Sequence, residues 1–164
     1  MSRSIRPAGP PDIHTIRSLA HDIWPKAYAT MITRAQLEYM LDWMYSPESL
    51  QQQMQEGHQF LLVENDSDEA LGFAAYRPLS DTQWKLEKLY VRVETHGKGL
   101  GKMLVENVLQ RIRQNGPTHL ELQVNRTNPA VGFYRKMGFE VLREANFDIG
   151  NGFWMNDYIM GRSV

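Results

Sequence analysis

The chain has 164 residues, with 18 lysines and arginines against 19 aspartates and glutamates and a formal net charge of −1. That length suits a single domain over 1–164, and a charge so near zero gives no general pull toward nucleic acid or an anionic membrane, so neither partner is expected. The absence of cysteine excludes a disulfide, a thiolate metal site and a cysteinyl intermediate.

No apolar run approaches the roughly eighteen residues of a membrane span. The N-terminus, Met-Ser-Arg-Ser-Ile-Arg-Pro, has no apolar signal region, so a cytoplasmic location is expected. The five histidines (14, 21, 58, 96 and 119) lack zinc-like spacing, and no metal is expected.

Ile5 opens a short strand. Asp12 starts a helix with Ile13, Ile16, Leu19, Ala20 and Ile23 on one side, which Pro25 ends or kinks. Thr33 and Gln36 form a capping-box pattern ahead of Leu37, Met40, Leu41 and Met44, and Ser46-Pro47 starts a third helix that Gly57 closes. The aromatics around the proline break, Trp24 and Tyr28, can line a pocket or simply pack in the core.

Phe60–Glu64 and Leu71–Arg77 are apolar runs joined by the polar segment 65–69, a hairpin signal, and Trp84–Val93 is a third neighbouring strand. From Leu100 the period changes from two to that of a helix: Leu100, Leu104, Val108 and Ile112 fall at i+4 steps, and Gly116-Pro117 ends the run. His119–Val124 returns as a strand, so strand, helix and strand predict a parallel pair with a right-handed crossover. Asn128-Pro129 starts a short helix stopped by Gly138. Phe139–Ile149 and Phe153–Met160 form a hairpin around Gly150-Asn151-Gly152. The order of elements predicts an α/β sandwich with a mixed sheet.

The turn between the central strand and helix carries the chemistry. Glycines 97, 99 and 101 clear side chains from a helix N-terminus, so free N–H groups can face an anion, with Lys98 and Lys102 adding positive charge. A phosphate or pyrophosphate suits such a loop, although the glycines could serve only a tight turn. A Walker loop fails on spacing, because Gly101-Lys102 is followed by Met103 and Gly97 is too close. A dinucleotide fingerprint fits poorly, since Lys102 stands where its last glycine belongs; Glu121, at ribose-binding distance, keeps that oxidoreductase reading as an alternative.

Two segments resemble the GNAT superfamily of acetyl-CoA-dependent N-acetyltransferases. Leu89-Tyr90-Val91 followed by His96-Gly97-Lys98-Gly99-Leu100-Gly101 is similar to that family's (Gln/Arg)-x-x-Gly-x-Gly/Ala loop. Asn125 through Phe139 is similar to its Asn-x-x-Ala-x-x-Phe-Tyr-x-Lys-x-Gly-Phe signature. His96 departs from the usual Gln or Arg at the first loop position. Within the superfamily the chain looks most like bacterial polyamine or PaiA-type acetyltransferases, with Glu87 just before the Leu-Tyr-Val strand.

The resemblance implies a three-layer sandwich whose central mixed, mostly antiparallel sheet splays between two parallel strands. It implies pantetheine held by backbone groups near Leu89, Tyr90, Val91 and Val93, and pyrophosphate on the loop from His96 and Gly97 through Lys102. Asn125, Asn128 and Phe133 join the cofactor residues. Tyr134 is the implied acid for the CoA thiolate, because a phenol with an ordinary pKa of about 10 stays protonated near neutrality.

Glu87 is the best carboxylate to take the amine's proton if a bulge corrects its strand-face parity, and an N–H near Tyr90-Val91 is placed to meet the oxyanion. The implied reaction is direct attack of a primary amine, on a small polyamine-like molecule or a peptide, in a ternary complex. Trp24, Tyr28 and Asp157 are candidate acceptor contacts. A non-catalytic CoA sensor stays as a second reading, and a homodimer stays open.

Overall fold

The computed structural model describes residues 3–164. Seven strands form one sheet in the order β1-β2-β3-β4-β5-β7-β6. β1 (Arg3–Ala8), β2 (Gln59–Asn65), β3 (Ala70–Pro78) and β4 (Gln83–Val91) are successive antiparallel neighbours. β4 and β5 (His119–Asn125) are parallel, as the strand-helix-strand order predicts, and β7 (Phe153–Ser163) lies antiparallel between β5 and β6 (Glu140–Gly150). The hairpin between β6 and β7 turns through Asn151 and Gly152, whose φ values of 55° and 78° suit an Asn-Gly turn.

Both faces of the sheet are covered, which explains why β2 and β3 read as apolar runs without alternation. Leu61, Val63 and Ala74 face α4 (Leu100–Arg113), which buries Leu100, Leu104, Val108 and Ile112 along its i+4 stripe. Phe60, Leu62, Phe73 and Ala75 face the layer of α1 (Ile13–Ala27), α2 (Arg34–Tyr45) and α3 (Pro47–Gln55). Arg111 and Arg113 in the last turn of α4 complement its dipole. The short α5 (Ala130–Lys136) packs Phe133 and Tyr134 on the α4 side, with the Asn128 side chain accepting the Ala130 N–H at its start. The result is helix, sheet and helix, the three-layer α/β sandwich expected. No helix among the described residues is long and apolar enough to cross a membrane.

One local expectation is narrowed and two need correction. Of the two outcomes expected at Pro25, an end or a kink, the helix does not end there but runs on to Ala27. A proline inside a helix costs about 3 kcal/mol, but burying Ile23 and Trp24 stabilises the turn by about 1.5–3 kcal/mol each, so the helix persists. Thr33 caps α2 through the Gln36 N–H, yet Gln36 does not close the box, because its amide donates instead to the Trp154 carbonyl at 2.9 Å. The strand expected to reach Val93 stops at Val91. The Arg92 N–H donates to the Leu71 carbonyl and its guanidinium to Ala70 and Asp22, which turns the chain into a single 3₁₀ turn over Val93–Thr95.

The feature that positions the site lies between β4 and β5. They pair only from Gln83 with His119 to Leu86 with Leu122, and then part. At the parting point β4 is bulged: Tyr76 faces Leu86 and Ala75 faces Lys88, leaving Glu87 as the extra residue. Trp84 and Leu86 face α4 before the bulge and Leu89 and Val91 after it, while Tyr90 joins the opposite layer. On its other edge β4 stays tight against β3. A Cβ on Gly72 would come within 2.6 Å of the Tyr90 carbonyl oxygen, so only glycine fits there.

Candidate active site

One cavity of about 720 Å³ runs through the opening between β4 and β5. At one end lies the glycine loop. Gly97 and Gly99 have φ of 83° and 80°, and nothing stands within 4 Å of where their Cβ atoms would be. The first intrahelical bond of α4 is from the Met103 N–H to the Gly99 carbonyl. The N–H groups of Leu100, Gly101 and Lys102 therefore have no backbone acceptor among the described residues, as expected for a helix start. Lys98 differs: its N–H is bonded to the Thr95 carbonyl, its carbonyl accepts from Arg3, and it does not line the cavity. The open amides, the dipole of a 14-residue helix and Lys102 make an end that fits a pyrophosphate.

Farther in, β4 offers backbone groups. Because the Arg92 N–H points to β3, alternation along the strand turns the Val91 and Leu89 N–H groups toward β5, where β4 has lost its strand partner. These unpaired groups fit the amides of an extended pantetheine chain. Tyr134 lies here, 8% exposed, with Phe133 and Phe139 against its ring at 5.3 and 5.7 Å. Burial, with Tyr28 adding to it, pushes the Tyr134 phenol well above its ordinary pKa, so it holds its proton throughout the physiological range.

Glu87 also lines the cavity, and the bulge that its strand parity required is present. Its carboxylate is not free: Arg77 Nε donates to it at 2.7 Å and Lys85 Nζ stands 3.5 Å away. Burial alone would raise its pKa, but Lys85, Arg77 and Lys88 outweigh burial and hold it below the usual carboxylate range. Lys88 is buried over the rings of Tyr45 and Phe60, 5.5 and 5.7 Å from their centroids, and donates to Gln53. Burial lowers its pKa to about 8 despite the adjacent Glu87.

The far end is walled by apolar side chains of α1, α2 and β7. Trp24 stacks 4.8 Å from Tyr28, whose hydroxyl shares a 2.9 Å hydrogen bond with that of Tyr90. Met31, Ile32, Met40, Met44 and Met155 complete the wall. Asp157 of β7 stands in it, 2% exposed and opposite Asn125 of β5. Its Oδ2 is shielded from solvent and has no hydrogen-bond partner among the described residues. Burial pushes its pKa up to about 6, with Arg126 and Lys85 opposing part of the shift.

The cavity thus brings together every expected site residue except Val93 and Lys98. Sequence reasoning missed Lys85, Lys88 and the methionine wall. It named Asp157 as a candidate acceptor contact but did not mark it as buried, although Met155, Asp157 and Ile159 share one strand face and two of the three are apolar. A lone acid on an apolar face is a legible sign of a buried charge.

A family model described as an acetyltransferase (GNAT) domain matches residues 28–160. The chain is 28% identical over 153 residues to an L-methionine sulfoximine/L-methionine sulfone acetyltransferase of Pseudomonas aeruginosa, a match that covers 86% of this chain and 82% of that protein. It is 29% identical over 147 residues to a spermidine N(1)-acetyltransferase of Thermoplasma acidophilum, covering 86% and 90%. The crystal structure of PaiA N-acetyltransferase from Thermoplasma acidophilum in complex with coenzyme A matches 100% of both chains, with a TM-score of 0.84 and 26% identity.

Proposed function

The chain belongs to the GNAT acetyltransferase family, whose acetyl donor is acetyl-CoA, and from that premise we propose that residues 1–164 act as one N-acetyltransferase domain on a small primary amine, by direct attack in a ternary complex. The observation that carries this reading is the continuity of the cavity. Loop amides, unpaired β4 groups, Tyr134 and an apolar acceptor wall share one space, so donor and acceptor can be held together.

In this reading the loop amides of residues 99–102 hold the pyrophosphate and the β4 edge holds the pantetheine arm. The amine's lone pair forms the new C–N bond at the thioester carbonyl, and the Val91 N–H meets the charge that develops on the carbonyl oxygen. As the C–S bond breaks, its electron pair leaves on sulfur, which takes the phenolic proton of Tyr134; the attacking nitrogen then gives up a proton and restores the phenol. Glu87 is assigned to ordering Lys85 and Arg77, since two cations already occupy its carboxylate and depress its basicity.

The acceptor follows from charge. Of the two carboxylates that line the cavity, Glu87 is paired and only Asp157 lacks a hydrogen bond or ion pair among the described residues. One free carboxylate with Lys85 and Arg126 nearby suits a single ammonium on an apolar body better than a polyamine with several positive charges.

The test is initial-rate kinetics of CoA thiol release with L-methionine sulfone, spermidine and a peptide N-terminus. L-Methionine sulfone is expected to have the highest kcat/KM, with intersecting double-reciprocal lines. Parallel lines or an isolable acetyl-protein would rule out direct attack, and a preference for spermidine would overturn the acceptor assignment.

A further inference from the structure

We infer that Asp157 is the group that receives the acceptor's ammonium and removes its proton before attack, a role that deepens the acetyl-transfer reading above and rests on it. The geometry has three parts. Asp157 lies on the wall of the cavity that also holds Tyr134 and the glycine loop. It is almost wholly buried, yet its carboxylate accepts no hydrogen bond among the described residues, and one oxygen is fully shielded. Leaving a buried carboxylate unpaired is costly, so a resident that serves only the fold would be expected to have a donor.

The charged and titratable groups around it are Lys85 from β4, Arg126 just beyond β5 and Tyr28 just beyond α1. Two of these are committed elsewhere: Lys85 donates to Gln123 at 3.0 Å, and Arg126 donates to Glu144 and Asn146. Both cations keep Asp157 from being neutralised outright without bonding to it. The carboxylate is therefore a vacant acceptor at a site where a cationic donor of the right size completes the pairing.

The proton balance is closed within the site. The ammonium gives one proton to Asp157 and becomes a neutral amine, whose lone pair forms the C–N bond. The C–S pair leaves on sulfur and is protonated by Tyr134, which recovers its proton from the new amide nitrogen. Asp157 then discharges its proton to solvent. Burial sets the Asp157 pKa at about 6, and the apolar wall of Trp24, Met31 and Met155 lowers that of the bound ammonium by desolvation, so the two approach each other. Glu87, depressed by its cations, has no such match.

The experiment measures kcat/KM for the panel amine that the wild type turns over best, from pH 5 to pH 9, in the wild type, Asp157→Asn and Glu87→Gln, with CoA binding followed by calorimetry. Asp157→Asn should lower kcat/KM for the amine at least about 100-fold at pH 7 while CoA affinity is unchanged. The wild-type profile should be bell-shaped with an acid limb near pH 6. In Asp157→Asn the amine must arrive already neutral, so log kcat/KM should climb with pH toward the free amine's own pKa.

Glu87→Gln should keep the acid limb, and Asp157→Ser, which lacks both carboxylate and amide, should repeat the asparagine profile; a serine enzyme that keeps the acid limb would trace the asparagine effect to its amide and overturn the inference. An Asp157→Asn enzyme within about threefold of wild type, or with the acid limb intact, overturns the inference, as does loss of CoA binding, which would make Asp157 a structural residue. A wild type that binds CoA but turns over no amine overturns the acetyl-transfer reading itself, a result distinct from either.

Discussion

The two ends of the cavity are built from different materials. The donor end is mostly backbone: N–H groups at the start of α4 and along the free edge of β4, exposed by glycine and by the parting of two strands. The acceptor end is side chains, brought from α1, α2, β4 and β7. Backbone donors are the same whatever the side chains, so the donor end should tolerate substitution and fail when the path of the chain is disturbed. At the acceptor end single side chains decide charge and fit, and each is open to change without loss of the fold.

Tyr134 stands where the two ends meet, and its replacement is the sharpest probe of that division. Tyr134→Phe removes the acidic proton and keeps the ring, so turnover should fall at least about tenfold and up to 10⁴-fold while CoA affinity moves little. Unchanged turnover, measured where chemistry limits the rate, would remove Tyr134 from the reaction.

Gly99→Asp attacks the donor end through its geometry. It forces an L-residue to a φ of 80°, at about 1–2 kcal/mol, and sets a negative charge where the loop meets pyrophosphate. Calorimetry should find the CoA Kd weakened at least about tenfold, with kcat recovering at saturating acetyl-CoA. Equal CoA binding would mean that the loop amides do not hold the donor.

The smallest effect concerns stability. The Asp157 pKa is raised in the folded protein to about 6, so the folded state binds this proton more tightly than the unfolded state does. Its ionisation therefore removes stability as pH rises from the ordinary carboxylate value through about 6, and the loss persists above that pH. Asp157→Asn should accordingly raise Tm above pH 6, by on the order of 2 kcal/mol or several degrees, and the gain should vanish below about pH 4. A melting curve at pH 8 no higher than wild type would show that the carboxylate is not strained by its burial.

The same division explains what was legible in the chain. The donor end could be read because its determinants are local: three glycines within five residues, a change of period at Leu100 and an asparagine before a proline. The sheet order followed from the crossover and from turn chemistry. The acceptor end depends on distant meetings. Gln36 reaches the Trp154 carbonyl, 118 residues away, instead of closing its own capping box, and no local pattern encodes that choice. Val93 continued the alternation of β4 on paper, but Arg92 is tied to Leu71, Ala70 and Asp22 and turns the chain first. Lys88 could not be assigned a face without knowing where the bulge falls.

That bulge also governs which changes of length the protein can survive. Lys88 to Val91 are held in face by their pairing with Ala75 to Gly72, and Glu87 is the one surplus residue before them, so a codon lost there differs in kind from a codon lost within the paired run. Deletion would join Leu86 directly to Lys88 opposite the adjacent pair Tyr76 and Ala75, so the ladder would become regular, Lys88 to Val91 would keep their faces, and the Val91 N–H would keep the open edge. Substitutions at Glu87 leave that arithmetic intact. Among descendants of this chain, position 87 can take a new letter or be lost, and what its loss removes is the bulge and its carboxylate, not the register of β4.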